Sequence, residues 1–164
     1  MTKTTPPTTG PHDQSVPATS PASASAPAEP EGLVVVGVDG SDDGNKALDW
    51  AVGFARLTSA KVLLVTAWQW PVSYGASMSW PGYEPDKEAR AVVHRAKLST
   101  GLPDALVRAI ACEGRPGKVL VDASADAAAL VVGSQGHGVI AEAVLGSVSA
   151  YCVRRAHCPV VVVR

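Results

Sequence analysis

Two short stretches carry residue types at spacings that could do chemistry. The first begins VVGSQGHG, where Val131-Val132 runs straight into Gly133, with Gly136 and Gly138 close behind. Nine residues then separate Gly136 from Gly146-Ser147. Glycines after an apolar run clear side chains from the path of an approaching group, and their N–H groups can form an anion nest. A helix starting near Ser147 would add first-turn amides, about half a positive charge, and a hydroxyl. A phosphate site made this way is built from backbone. An ordinary strand-to-helix turn would use the same residues, so the glycines alone do not decide between the two.

The second stretch is GVDGS, Gly37 to Ser41. A dinucleotide loop of the GxGxxG kind requires glycine where Asp39 stands, and an acid there repels a pyrophosphate. Asp39 is suited to accept a hydrogen bond from an amino group such as the exocyclic amine of adenine. It is equally suited to satisfy N–H groups of its own turn. Other motifs fail. GRPGKV (Gly114–Val119) has the wrong glycine spacing for a Walker A loop, and Val119 replaces its Ser or Thr. There is no GxSxG elbow. Ser147 and Ser149 near His137 lack an orienting acid, so ligand binding suits these serines better than Ser-His catalysis.

These stretches need elements to hold them. LVVVGV (Leu33–Val38) is a continuous β-branched run, the pattern of a strand covered on both faces. Ser41 reads as a helix N-cap, with Asp42 and Asp43 in the first turn. Ala47, Leu48, Trp50, Ala51, Phe54 and Ala55 give that helix its apolar face, to about Thr58. VLLVTAW (Val62–Trp68) predicts a second strand. A loop follows over Gln69–Tyr83, with Pro71, Gly75, Pro81 and Gly82 among aromatic residues. Then come a helix from Asp86 to Ser99 closed by Gly101 and Pro103, a strand over Ala105–Cys112, and a helix from Pro116 to about Ala125. Ala128–Val132 is the fourth strand, Ser147–Arg155 the last helix, and Val160–Val163 the fifth strand. Strands alternating with helices predict a doubly wound, parallel α/β sheet.

Composition bounds the rest. With 164 residues and a net charge of -1, the chain suits one domain and shows no basic footprint for nucleic acid or an anionic membrane. Residues 1–31 are rich in Pro, Ser, Thr and Ala, bury almost nothing, and read as a disordered tail before a domain over 32–164. No apolar leader or spanning run is visible, which predicts a cytoplasmic protein. Cys112, Cys152 and Cys158 are odd in number and form no CxxC pair, favouring reduced thiols. The four histidines fall at no metal-ligand spacing with them.

From Leu33 to Arg164 the sequence resembles the universal stress protein family. The resemblance rests on VVVGVDGS with ALDWA, on Gly133-x2-Gly136-x9-Gly146-Ser147, and on the closing SVSAYCVRRAHCPVVVVR. It implies a Rossmann-like, open five-stranded sheet in the order 3-2-1-4-5, helices on both faces, and a homodimer joined through the last strand. It also implies an adenine nucleotide: ATP, with or without Mg2+, or alternatively AMP or cyclic AMP. Carried over by position, Asp39 meets the adenine, helped by the backbone of Ala67. Gly37 lines the adenosine pocket, Val132 supports base or ribose, and Gly133 lies by the ribose. Gly136, Gly138, Gly146, Ser147 and Val148 surround the phosphates, with Ser149 as an addition. Gln135 stands where the family often carries Arg, which withdraws a positive charge from beside the phosphates. The implied function is a stress-response regulator with little or no turnover and a protein partner of unknown identity. A slow ATPase or nucleotidyl transferase is the alternative.

Overall fold

The computed structural model of the protein describes residues 1–2, 32–70, 82–136 and 145–164. The expectations for the tail, for most of the Gln69–Tyr83 loop and for Gly138 lie outside the described residues. The elements run β1 (Leu33–Gly37), α1 (Asp42–Thr58), β2 (Lys61–Trp68), α2 (Pro85–Ser99), β3 (Val107–Glu113), α3 (Pro116–Ala123), β4 (Ala129–Gly133), α4 (Ser147–Arg155) and β5 (Val160–Val163). They form one parallel sheet in the order β3-β2-β1-β4-β5. This is the expected order, and the expected bounds of α4 and β5 hold to the residue. β3 begins two residues later than its apolar run, and α3 closes two residues sooner.

Every β1 side chain faces a helix layer, which is why its sequence shows no polar alternation. Val34 and Val36 enter one core with Ala47, Leu48, Ala51 and Val93 from α1 and α2. Val35 enters the other with Leu120 of α3 and Cys152 of α4. α1 starts as its sequence predicts: Ser41 is the N-cap, and its Oγ accepts from the Gly44 N–H at 3.1 Å.

One part of the α1 face needs correcting. Trp50 and Phe54 are exposed and stack on each other with centroids 5.4 Å apart, while Val52 is buried in the core. At about 100° per residue, positions 47, 48, 51, 52 and 55 fill one arc. Position 50 falls well outside it and 54 on its border. Being i and i+4, the two rings meet each other instead of the sheet.

The winding reverses between β1 and β4, so the chain leaves their carboxyl ends in different directions and opens a crevice there. Both stretches singled out by the sequence sit at this crevice.

Candidate functional site

The crevice is a cleft of about 280 Å3, just under the usual range for ligand pockets. Gly37, Asp39, Ala67, Val132, Gly133, Gly136, Gly146, Ser147, Val148 and Ser149 all line it. Sequence positions more than a hundred residues apart are thus brought to one wall-to-wall space. Gly138 lies outside the described residues.

One side of the cleft is the end of β1. The Val38 N–H donates to Val65 O at 3.0 Å, and the buried Thr66 hydroxyl donates to Val38 O at 2.8 Å. Together they pin the GVDGS turn to β2. Because β2 runs on past the last residue of β1, its next groups on that side have no strand beside them. Val65 O faces β1, while Trp68 O faces β3 and accepts from Gly114 N–H at 2.7 Å. Backbone groups alternate sides along a strand, so Ala67 turns both its N–H and C=O toward the β1 side, into the cleft. Sequence reasoning named Ala67 only through the resemblance; its orientation follows from the ladder.

Asp39 does the second of the two things its sequence allowed. Its Oδ1 accepts from the Ser41 N–H at 3.0 Å and the Ser41 hydroxyl at 2.6 Å, bracing its own turn. Its Oδ2 lies toward Gly136: a Cβ on Gly136 would come within 2.7 Å of it. The two stretches therefore meet at Asp39 and Gly136.

The far wall is the glycine loop and the start of α4. Ser134 O accepts from the Gly146 N–H at 2.7 Å and from the Ser149 hydroxyl at 3.0 Å, so the loop leaves and returns through one point. Ser149 is buried, and its proton is shared with Gly146 O at 3.0 Å; it acts as a brace. Ser147 is exposed at the first position of α4 and is the hydroxyl presented to the cleft. Gly146 is the N-cap and brings no side chain to the orphan amides, nor does an acid occupy that first turn. The helix end keeps its partial positive charge for the cleft.

Asp43, Ser134 and Gly44 were missed as parts of this construction. Asp43 Oδ2 accepts from the Ser134 hydroxyl at 2.6 Å and the Gln135 N–H at 3.2 Å, tying α1 to the loop across the crevice. Its Oδ1 lies 2.9 Å from Lys46 Nζ. The Ser134 hydroxyl, followed by Lys46, holds the Asp43 carboxyl below its ordinary range. A first-turn acid looks from sequence like a helix-end device, and nothing local betrays a partner 91 residues away. Gly44 leaves room for Asp39, whose Oδ1 would lie 2.5 Å from a Cβ there.

Among the described residues lining the cleft, Asp39 is the one ionisable side chain. Positive potential facing it comes from backbone. Among the described residues no group of three His, Cys, Asp or Glu is placed to hold a metal ion, and no helix is long and apolar enough to cross a membrane.

A doubly wound sheet with its cleft at the switch point defines a ligand-binding class of α/β domain. Residues 33–164 match the universal stress protein family, and the chain belongs to that family. It is 34% identical over 138 residues to the Mycobacterium tuberculosis universal stress protein Rv2005c, covering 79% of this chain and 47% of that protein. The chain thus spans about half the length of the curated relatives it matches. A universal stress protein solved in complex with cAMP is 30% identical, with a TM-score of 0.60 over 80% of this chain and 96% of that one. UspA from Lactobacillus plantarum, 22% identical, shares the fold with a TM-score of 0.65 over 80% and 97% of the two chains.

Proposed function

We propose that the protein binds an adenine nucleotide, ATP foremost and AMP or cyclic AMP otherwise, in the cleft between the GVDGS turn and the start of α4. The carrying observation is the pairing of Ala67, whose N–H and C=O both face the cleft, with an α4 N-terminus that has neither acid nor capping side chain. Adenine presents an acceptor ring nitrogen beside a donor amine, the complement of one backbone N–H and C=O. The α4 amides and Ser147 then take phosphate oxygens, beside Gly136 and Val148. The cAMP-bound relative supports the ligand class.

Asp39 has two roles open to it. As a further acceptor for the adenine amine it would sharpen base choice. Its approach to Gly136 on the phosphate side favours a second reading, a bond from a ribose hydroxyl. Among the described residues lining the cleft Asp39 is the one candidate base, and its Oδ1 is taken up by Ser41, whereas phosphoryl transfer relies on an oriented nucleophile. The protein is therefore a regulator that binds with little or no turnover. It acts as a homodimer paired along β5, whose outer edge has no strand against it among the described residues.

Calorimetry with AMP, IMP and 2′-deoxy-AMP on wild type and Asp39→Asn tests the site. Asparagine keeps an acceptor for Ser41 but replaces the other oxygen with a donor. If Asp39 reads the amine, the variant loses AMP and gains IMP. If it holds the ribose, AMP weakens by roughly 1–3 kcal/mol, the scale of a lost buried partner, and 2′-deoxy-AMP is indifferent to the change. Wild-type protein that binds none of the three, nor ATP or cyclic AMP, would overturn the proposal.

A further inference from the structure

A second hollow of about 240 Å3 adjoins the cleft and shares Ser147 and Val148 with it. Its remaining lining is Arg115, Gly117, Lys118 and Tyr151. The hollow lies between the starts of α3 and α4. Tyr151 holds them side by side, its ring so close over α3 that a Cβ on Gly117 would come within 2.7 Å of it. Like α4, α3 has no acid in its first turn and no side-chain cap, whereas α1 and α2 each carry two first-turn acids.

The cationic side chains here are uncommitted or weakly held. Among the described residues no acid pairs with Arg115. Lys118 Nζ lies 2.6 Å from Asp122 Oδ2, but both side chains are largely exposed, and such pairs are readily exchanged for a stronger anion. The main cleft offers phosphate only backbone amides and the Ser147 hydroxyl among its described residues, and its one ionisable side chain, Asp39, is an acid. A triphosphate carries several more charges, and the cations nearest its path are in the adjoining hollow.

We infer that this hollow is the subsite for the phosphates beyond the first, with Arg115 and Lys118 as their cationic partners. The inference rests on the nucleotide reading of the main cleft. It makes the protein selective for nucleoside di- and triphosphates over monophosphates, through side chains on α3 that add to the glycine loop and the start of α4. Arg115 can take two oxygens with its planar fork, while Lys118 acts as a point charge.

The test is calorimetry with AMP and ATP on wild type, Arg115→Gln and the Arg115→Gln/Lys118→Gln double variant, at two salt concentrations. Both residues are exposed, so the variants should fold as wild type does. The expected result is ATP tighter than AMP in wild type, and at least a tenfold loss for ATP in the double variant. AMP should stay within twofold, and the salt dependence of ATP binding should flatten. ATP unchanged in the double variant overturns the subsite, as does wild type that binds ATP no tighter than AMP; both leave the nucleotide reading standing. Wild type that binds neither overturns both.

Discussion

Gly133→Ala separates a glycine needed by the fold from one needed by a ligand. From sequence all the loop glycines look alike, each clearing space for a phosphate or ribose. In the structure a Cβ on Gly133 would lie 2.7 Å from the Asp43 carbonyl carbon and 2.9 Å from both Asp43 O and Gly44 N. These are backbone atoms in the first turn of α1. Restoring ordinary contact at 3.4 Å requires a retreat of about 0.7 Å (3.4 − 2.7). The turn has little freedom to retreat, since Asp43 is bonded to Ser134 and Gln135, immediately after Gly133. Overpacking of this kind costs about 1–3 kcal/mol. At about 3–5 °C per kcal/mol for a domain of this size, the midpoint should fall by roughly 3–15 °C. The assay is thermal denaturation of nucleotide-stripped protein followed by circular dichroism, with Gly136→Ala as comparison. There, among the described residues, the added carbon meets only the end of the Asp39 side chain, so stability should change by less than about 0.5 kcal/mol while nucleotide affinity drops. A Gly133→Ala variant that melts with wild type would refute the crowding argument and return this glycine to the ligand.

Three further outcomes follow from other contacts. Ser134→Ala removes the first cause of the low Asp43 carboxyl pKa, so that pKa should rise toward its ordinary value of 3.8. A depressed acid contributes stability above its unfolded pKa and loses it as pH falls through the folded one, so this part of the acid-side loss should shrink; carboxyl titration by NMR reads it, and an unmoved Asp43 would break the link. Cys152 is fully buried, and burial pushes its thiol from 9.0 up to about 11. The unfolded chain then holds fewer protons than the native one between those values, so stability falls as pH rises through them. Urea unfolding from pH 8 to 10.5 should show that slope reduced in Cys152→Ala, and identical slopes would count against it. Pro159 O, just before β5, accepts from Leu130 N–H of β4, and Val163 O accepts from the Ser134 N–H just beyond β4, so by alternation Val160 and Val162 turn their backbone groups to the open edge. Val162→Pro removes one outward N–H, spares the β4 ladder, and should yield monomers in sedimentation velocity; an intact dimer would move the interface off this edge.

What the sequence made legible is what depends on local pattern. β1 was readable because a strand buried on both faces must be apolar without alternation, and α1 because Ser41 and two acids announce a helix start. The sheet order came with the resemblance, since strand order is a long-range property that no run of residues encodes by itself. The exposed pair Trp50 and Phe54 shows the limit of apolarity as a guide: large rings at i and i+4 can shield each other, and only their angular position tells them from core residues. The loop glycines show a deeper limit. Spacing places Gly133, Gly136 and Gly146 in one motif, yet each is crowded by a different neighbour: the α1 backbone, the Asp39 carboxylate and Ser134 O. Two of those neighbours belong to the turn and helix that follow β1, nearly a hundred residues earlier. A motif of this kind is therefore a packing solution as well as a proposed binding surface, because the backbone that lines the cleft also seats the first turn of α1. For the proposed phosphate reading of the spacing the glycine to test is Gly136, where the crowding atom is a side-chain carboxylate oxygen and not the protein's own main chain.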